Sequence, residues 1–312
     1  MKKYLSILGL NLLMGLSYAQ VQPPVNPLAT VAVVDASSSP TLSRIKKSGF
    51  VVMSVRDTSS PFSYNNGSDQ FIGYSVELCE NVIKGIMADL GMPNLKVVYL
   101  PVSGAERIPF VANGTSDMEC SSTTITKARQ EQADFSYATF YSQTMFAGNK
   151  NKKLSKLEDL KKTTVAVGEG TIQLKYLNEL NEKQRFDIKV VTYKNATEAY
   201  LAAMDGKADF AISDDLLLLG IKNSIKDEQN SMVMFDLALL PNTYAMILPK
   251  GDQMYINTFN KHLKVLFDTK KAEEIYNKWF LSPVPPQNKP INWPIGKTKD
   301  LFENPSSEAL SP

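Results

Sequence analysis

From Leu42 onward, short runs of β-branched residues alternate with amphipathic helical stretches; the alternation stops near Lys150 and then begins again. Val51 to Val55 predicts a strand. Ser75 to Leu90 predicts a helix, with Val76, Cys79, Val82, Ile83, Ile86, Met87 and Leu90 on one face and Gly91 and Pro93 closing it. A strand at Lys96 to Val102, a short helix around Arg107 to Ala112 and a strand near Asp117 to Ser121 follow. This order implies a mainly parallel sheet covered on both faces.

The second series runs through a strand at Thr164 to Gly168, a helix at Ile172 to Asn181, a strand at Lys189 to Tyr193, a helix at Thr197 to Asp205, a strand at Asp209 to Ser213 and a helix at Asp215 to Lys222. Two strand-like stretches, near Phe140 to Gly148 and Leu237 to Leu248, would join the two units twice. Helices at about Gln253 to Asp268 and Lys271 to Phe280 carry the chain on to a proline-rich stretch. The expected fold class is α/β, with two lobes joined by two hinge strands around a cleft. The first lobe is expected at 42–143 and 245–282, the second at 144–244, and a proline-rich C-terminal tail at 283–312.

The first nineteen residues predict a cleavable signal peptide. Met1, Lys2 and Lys3 form a positive start, Tyr4 to Leu16 is largely apolar, and Ser17, Tyr18 and Ala19 put small residues before a cleavage point. The apolar run is shorter than the roughly 20 residues a membrane span needs. No cysteine follows directly, so lipid attachment is not expected, and 20–41 reads as a flexible lead-in. The chain has 34 Lys and Arg against 32 Asp and Glu, so losing Lys2 and Lys3 with a leader leaves 32 of each sign. Neutrality argues against a partner held by nucleic-acid phosphates or anionic lipid, both of which need a basic surplus. Cys79 and Cys120 are the only cysteines. In an oxidising compartment they could form one bridge, or they could be two small buried side chains; the sequence leaves both readings open.

Catalytic patterns are mostly missing. His262 is the only histidine, so no catalytic triad or histidine metal cluster can be built within one chain, and a structural role is expected for it. Val167 to Thr171 begins like a dinucleotide fingerprint but has Gln173 where the third glycine belongs. Gly296, Lys297 and Thr298 end like a phosphate loop but have Ile291 where the first glycine belongs. No cofactor is expected. Recognition groups are present instead: hydroxyls from Ser121 to Thr124 run into a short helix carrying Arg129. Hydroxyls and free N–H groups there can receive a carboxylate, and a guanidinium can grip it with two bonds. Thr171 is placed to cap a helix while leaving N–H donors free. Asp214 could meet an ammonium group, with Asp215 as the helix cap. Anion donors from both units and one cation acceptor match the zwitterionic head of an amino acid.

The chain resembles the periplasmic solute-binding proteins of ABC amino-acid importers, and in particular their glutamate/aspartate-binding group, from about Leu42 to Leu310. The carrying stretches are RDTSSPFSY (56–64), ERIPFVANGTSDMECSSTT (106–124), KARQEQADFS (127–136), LNELNEKQ (177–184), DFAISDD (209–215) and KWFLSPVPPQN (278–288). The resemblance implies a type II periplasmic-binding fold that closes on its ligand, a free periplasmic location, a monomeric state, and an ABC permease in the inner membrane as partner. It gives Arg129, Thr124 and Thr171 to the ligand α-carboxylate, Ser122 and Asp214 to its ammonium, and Arg56 and Arg107 to a side-chain carboxylate. Where that group carries serine and histidine on the side-chain wall, this chain has Gly104 and Ala196, which are expected to open room at the distal end. Glutamine or asparagine is therefore the competing ligand. A cyclohexadienyl dehydratase on a similar fold and a sensory ligand-binding module are the competing classes.

Overall fold

The computed structural model describes residues 36–68, 70–225, 231–285 and 288–308. The expected leader at 1–19 and most of the lead-in lie outside them. Two five-stranded sheets organise the described chain. In the first, the order is Lys96–Pro101, Phe50–Val55, Met118–Glu119, Ile247–Leu248, Asp134–Phe135. Its first three strands are parallel and Ile247–Leu248 joins antiparallel. In the second, Lys189–Tyr193, Thr164–Gly168 and Phe210–Asp214 are parallel, and Phe140–Asn149 and Met232–Tyr244 complete the edge antiparallel. Thr164–Gly168 and Lys189–Tyr193 have the expected limits, because β-branched runs between turn residues leave little choice of boundary.

Phe140–Asn149 leaves the first lobe and Met232–Tyr244 returns to it. The two strands pair from Phe140 opposite Tyr244 to Asn149 opposite Met232, so the two crossings form one hydrogen-bonded ribbon. At its first-lobe end Tyr244 stacks on Phe140 with ring centroids 5.8 Å apart, and Phe62 meets both rings edge-on. Phe280 and Tyr276, from the helix Lys271–Leu281, close this aromatic group. The ribbon is thus anchored in the core of the first lobe.

Three features depart from or add to the sequence reading, and a fourth settles what it left open. The lead-in expected at 20–41 is ordered at its described end: Ser39 caps the helix Pro40–Ser48, and its Leu42 and Ile45 are fully buried. Each such burial is worth about 1.5–3 kcal/mol. The tail expected at 283–312 contains the helix Thr298–Glu303, whose Phe302 stacks on Phe267 at 4.7 Å. Beyond that helix, Ser306 accepts a backbone bond from Ala138 at 2.7 Å. A small antiparallel sheet of Thr58–Ser59, Ser63–Asn65 and Phe71–Ile72 was not foreseen, because strands of two or three residues carry no readable period. Cys79 and Cys120 form a disulfide, with Cα atoms 6.5 Å apart, tying the helix Tyr74–Asp89 to the end of strand Met118–Glu119.

His262 is half of a structural tie. Its Nε2 lies 2.7 Å from Asp89 Oδ2, joining the helices Gln253–Asp268 and Tyr74–Asp89, and Lys261 reaches the same carboxylate at 2.8 Å. No helix among the described residues is long and apolar enough to cross a membrane.

Candidate functional site

In open parallel sheets, the carboxyl ends of the strands are where backbone groups and loop side chains converge on a ligand. Here the carboxyl ends of both sheets face one cleft. Arg56 follows strand Phe50–Val55, Gly104 follows Lys96–Pro101, and Ser122 and Thr124 follow Met118–Glu119; opposite them stand Glu169 and Thr171 after Thr164–Gly168, Asn195 after Lys189–Tyr193, and Asp214 at the end of its own strand. All seven residues singled out from the sequence, Arg56, Arg107, Ser122, Thr124, Arg129, Thr171 and Asp214, line this cleft. It holds about 550 Å³ of atom-free space, its mouth included.

The first-lobe wall is built on guanidinium groups. Arg56, Arg107 and Arg129 are each less than a tenth exposed, and none is in an ion pair among the described residues. Arg107 opens the helix Arg107–Ala112 and donates from Nη1 to Thr123 Oγ1 at 3.0 Å. Thr123 passes a bond to Glu119 Oε2 at 2.8 Å, and the Ser121 hydroxyl donates to the other oxygen of that carboxylate. Arg129 donates from Nη1 to the Thr124 carbonyl at 2.9 Å. The Arg56 backbone N–H is held by Ser63 Oγ at 2.8 Å, whereas its Nε and Nη1 are buried without a protein partner. Burial pushes both Arg56 and Arg129 below the ordinary guanidinium value; neighbouring Arg107 lowers them further, and Glu119 partly offsets this. A guanidinium stays protonated in a protein, so these shifts register positive charge with too little compensation around it.

The second-lobe wall presents a buried carboxylate held in place. Gln173 Nε2 and Asn242 Nδ2 donate to Asp214 Oδ1 at 2.7 and 2.6 Å, and the Tyr244 hydroxyl donates to Oδ2 at 2.6 Å. Burial raises the Asp214 carboxyl to about 6, against the lowering effect of the Tyr244 bond. The expected cap role of Asp215 is not what the structure has. Its carboxylate takes the Ser142 hydroxyl at 2.5 Å and its neighbour's N–H, Leu216, at 2.7 Å, and no side chain caps the helix Asp215–Ser224. Thr171 does cap its helix, accepting from Leu174 at 3.3 Å.

The lobes meet across the cleft. The Gly170 carbonyl accepts from Arg129 Nη2 at 3.0 Å and from Arg107 Nη2 at 3.3 Å. Gly104 does not open room as expected: a Cβ there would stand 2.6 Å from the Glu169 carbonyl oxygen, so the opposite lobe already fills the place of a side chain. Glu119, Gln173, Asn242 and Tyr244 were not singled out from the sequence. Glu119 carries one readable signal, a carboxylate between the apolar Met118 and Cys120 in a short strand, and Gln173 carries only that it breaks a glycine pattern.

The model of the bacterial extracellular solute-binding proteins, family 3, matches residues 51–282. The chain belongs to this family. The glutamate/aspartate import solute-binding protein of Escherichia coli K12 is 30% identical over 310 residues, which cover 98% of this chain and 97% of that protein. The L-glutamate/L-aspartate-binding protein of Pseudomonas aeruginosa is 31% identical over 287 residues, covering 91% and 95%. Among solved structures, an ancestral arginine-binding protein bound to glutamine superposes with a TM-score of 0.66 at 23% identity, covering 74% of this chain and 98% of its own. The ancestral amino acid-binding protein AncCDT-1, a precursor of cyclohexadienyl dehydratase, gives 0.66 at 25% identity, covering 77% and 99%. The family fold is therefore the type II periplasmic-binding fold of two α/β lobes. The family relatives named here for transport are binding proteins.

Proposed function

We propose that this protein captures glutamate or aspartate between its lobes in the periplasm and delivers it to an ABC permease, without turning it over. The observation that carries the reading is a charge imbalance in the cleft. Three buried guanidinium groups face two buried carboxylates, Glu119 and Asp214; the further carboxylates nearby, Asp57, Glu106 and Glu169, are exposed or half-exposed and solvent screens them. A ligand of net charge minus one brings the buried sum to zero. An amide ligand, neutral overall, would leave one positive charge buried without a partner, which is costly.

In this reading Arg129, Thr124 and Thr171 receive the α-carboxylate, while Ser122 and Asp214 receive the ammonium. Arg56 and Arg107 receive the side-chain carboxylate; the unpartnered Nε and Nη1 of Arg56 are donors available for it. The names of the Escherichia coli and Pseudomonas aeruginosa relatives agree with an acidic ligand.

The test is a titration of the mature protein, stripped of ligand by unfolding and refolding, against all twenty amino acids. A ligand at about 100 times its Kd should add roughly 2.7 kcal/mol of stability. Glutamate or aspartate should win by at least tenfold over glutamine and asparagine. An amide that wins outright sinks the acidic reading, and turnover of a cyclohexadienyl substrate would make the protein an enzyme.

A further inference from the structure

Among the described residues, glycines stand at two places where the lobes come together backbone to backbone. On the flank of the cleft, a Cβ on Gly220, in the helix Asp215–Ser224, would lie 2.5 Å from the Ser60 carbonyl oxygen of the first lobe. At the cleft itself, a Cβ on Gly104 would lie 2.6 Å from the Glu169 carbonyl oxygen, and one on Gly170 would lie 2.6 Å from the Gly104 carbonyl. Gly170 has φ +68°, a conformation that favours glycine in any case, whereas Gly104 has no such backbone need. What Gly104 supplies is closeness. The obstacle to a side chain there is a carbonyl fixed at the end of a strand, so nothing flexible can give way. Ordinary contact at 3.4 Å would need the lobes about 0.8 Å further apart at this point.

That separation matters for what fits. In the proposed reading the ligand head is shared, Arg129, Thr124 and Ser122 holding it from the first lobe and Thr171 and Asp214 from the second, while Arg56 in the first lobe takes the far carboxylate. The span from Thr171 and Asp214 to Arg56 is an interlobe distance that lengthens as the lobes part, whereas that from Arg129 to Arg56 lies within one lobe. The Arg56 Nη1 also lies only 3.4 Å from the place of a Gly104 Cβ, so the guanidinium rests directly over the missing side chain. We propose that Gly104 is a specificity-determining residue: by letting the Glu169–Gly170 backbone close onto it, it sets the lobe separation and thereby the length of acidic side chain the cleft prefers. The proposal rests on the acidic amino-acid reading of the site.

The test is calorimetric titration of wild type, Gly104→Ala and Gly104→Ser with aspartate, glutamate and 2-aminoadipate, which differ by one methylene each. Crystal structures of the liganded wild type and Gly104→Ala accompany it. In the variants the affinity ratio of each longer acid to the next shorter one should rise at least threefold, more in Gly104→Ser than in Gly104→Ala. The liganded variant should hold Glu169 further from residue 104 than wild type does. A cleft that is merely damaged would weaken all three acids by one factor, and that result overturns the proposal, as does an unchanged lobe separation. Loss of folding in the serine variant leaves the alanine variant to decide. If wild type binds no acidic amino acid, the acidic reading fails by itself. The role of Gly104 is then read on asparagine and glutamine, which differ by the same methylene, with the same outcomes.

Discussion

The Tyr244 hydroxyl donates to Asp214 Oδ2 at 2.6 Å, so a residue at the end of the hinge ribbon holds the buried carboxylate with which the second lobe lines the cleft. Tyr244 is anchored in the first lobe by its stacking on Phe140 and by its carbonyl, which accepts from Thr139 at 2.8 Å. The bond therefore spans from the base of one lobe to the binding surface of the other. Replacing Tyr244 with Phe removes a donor that favours the ionised carboxylate, leaving Gln173, Asn242 and Thr144. Amino-acid affinity should fall about fivefold to thirtyfold, for a bond to a charged group worth roughly 1–2 kcal/mol. Calorimetry at pH 7.5 on the folded variant checks this.

Binding should depend on pH through the same carboxylate. Burial raises Asp214 to about 6 in the free protein, so it takes up a proton as the pH falls through that value. A protonated carboxyl no longer offers the charge that pairs with an ammonium. Affinity should be full above neutrality and drop about tenfold by pH 5, one unit below the free-protein value. Tyr244→Phe should move that fall to higher pH. A flat affinity from pH 7.5 to 5 would separate Asp214 from the ligand ammonium.

In the proposed reading Arg129 receives the group that all amino acids share. Arg129→Ala should cost about 2–5 kcal/mol, the range for losing one partner of a desolvated charge pair, or roughly 30- to 4000-fold in Kd. The loss should be similar for acidic and neutral ligands. Unchanged affinity in a folded variant would remove Arg129 from the α-carboxylate.

Arg107 should behave differently. Arg107→Gln takes one positive charge from the cleft and so removes the imbalance that favours an acidic ligand. The gap between glutamate and glutamine should shrink by about tenfold or more, whereas the bond from Arg129 to the Gly170 carbonyl keeps one lobe-to-lobe contact. Competition titration of the two ligands against the variant measures it.

The disulfide makes a prediction about stability. Cys79 and Cys120 are 41 residues apart in sequence, and closing a loop of that size stabilises by about 4 kcal/mol through the entropy of the unfolded chain. The double variant Cys79→Ala, Cys120→Ala should unfold at a correspondingly lower urea concentration. Loss of less than about 1 kcal/mol would show that the helix and strand are held by packing alone.

Much of the framework was legible because it is local. A β-branched run such as Thr164–Gly168 and an amphipathic period such as Gln253–Asp268 carry their own limits, and the second start of the series after Lys150 announced a second sheet. The order at 36–41 and the helix at 298–303 are not legible in the sequence for the opposite reason: the segments are short, and Ala36 and Phe302 become buried only against surfaces that distant segments supply. The candidate site divides in the same way. Arginines, hydroxyls and Asp214 at strand ends could be named from residue type and position. The side chains that hold Asp214 come from positions 144, 173, 242 and 244, and only folding brings them to one carboxylate. Likewise the sequence records at Gly104 only that a side chain is missing; that the Glu169 carbonyl of the other lobe takes its place depends on how two sheets far apart in the chain close on each other.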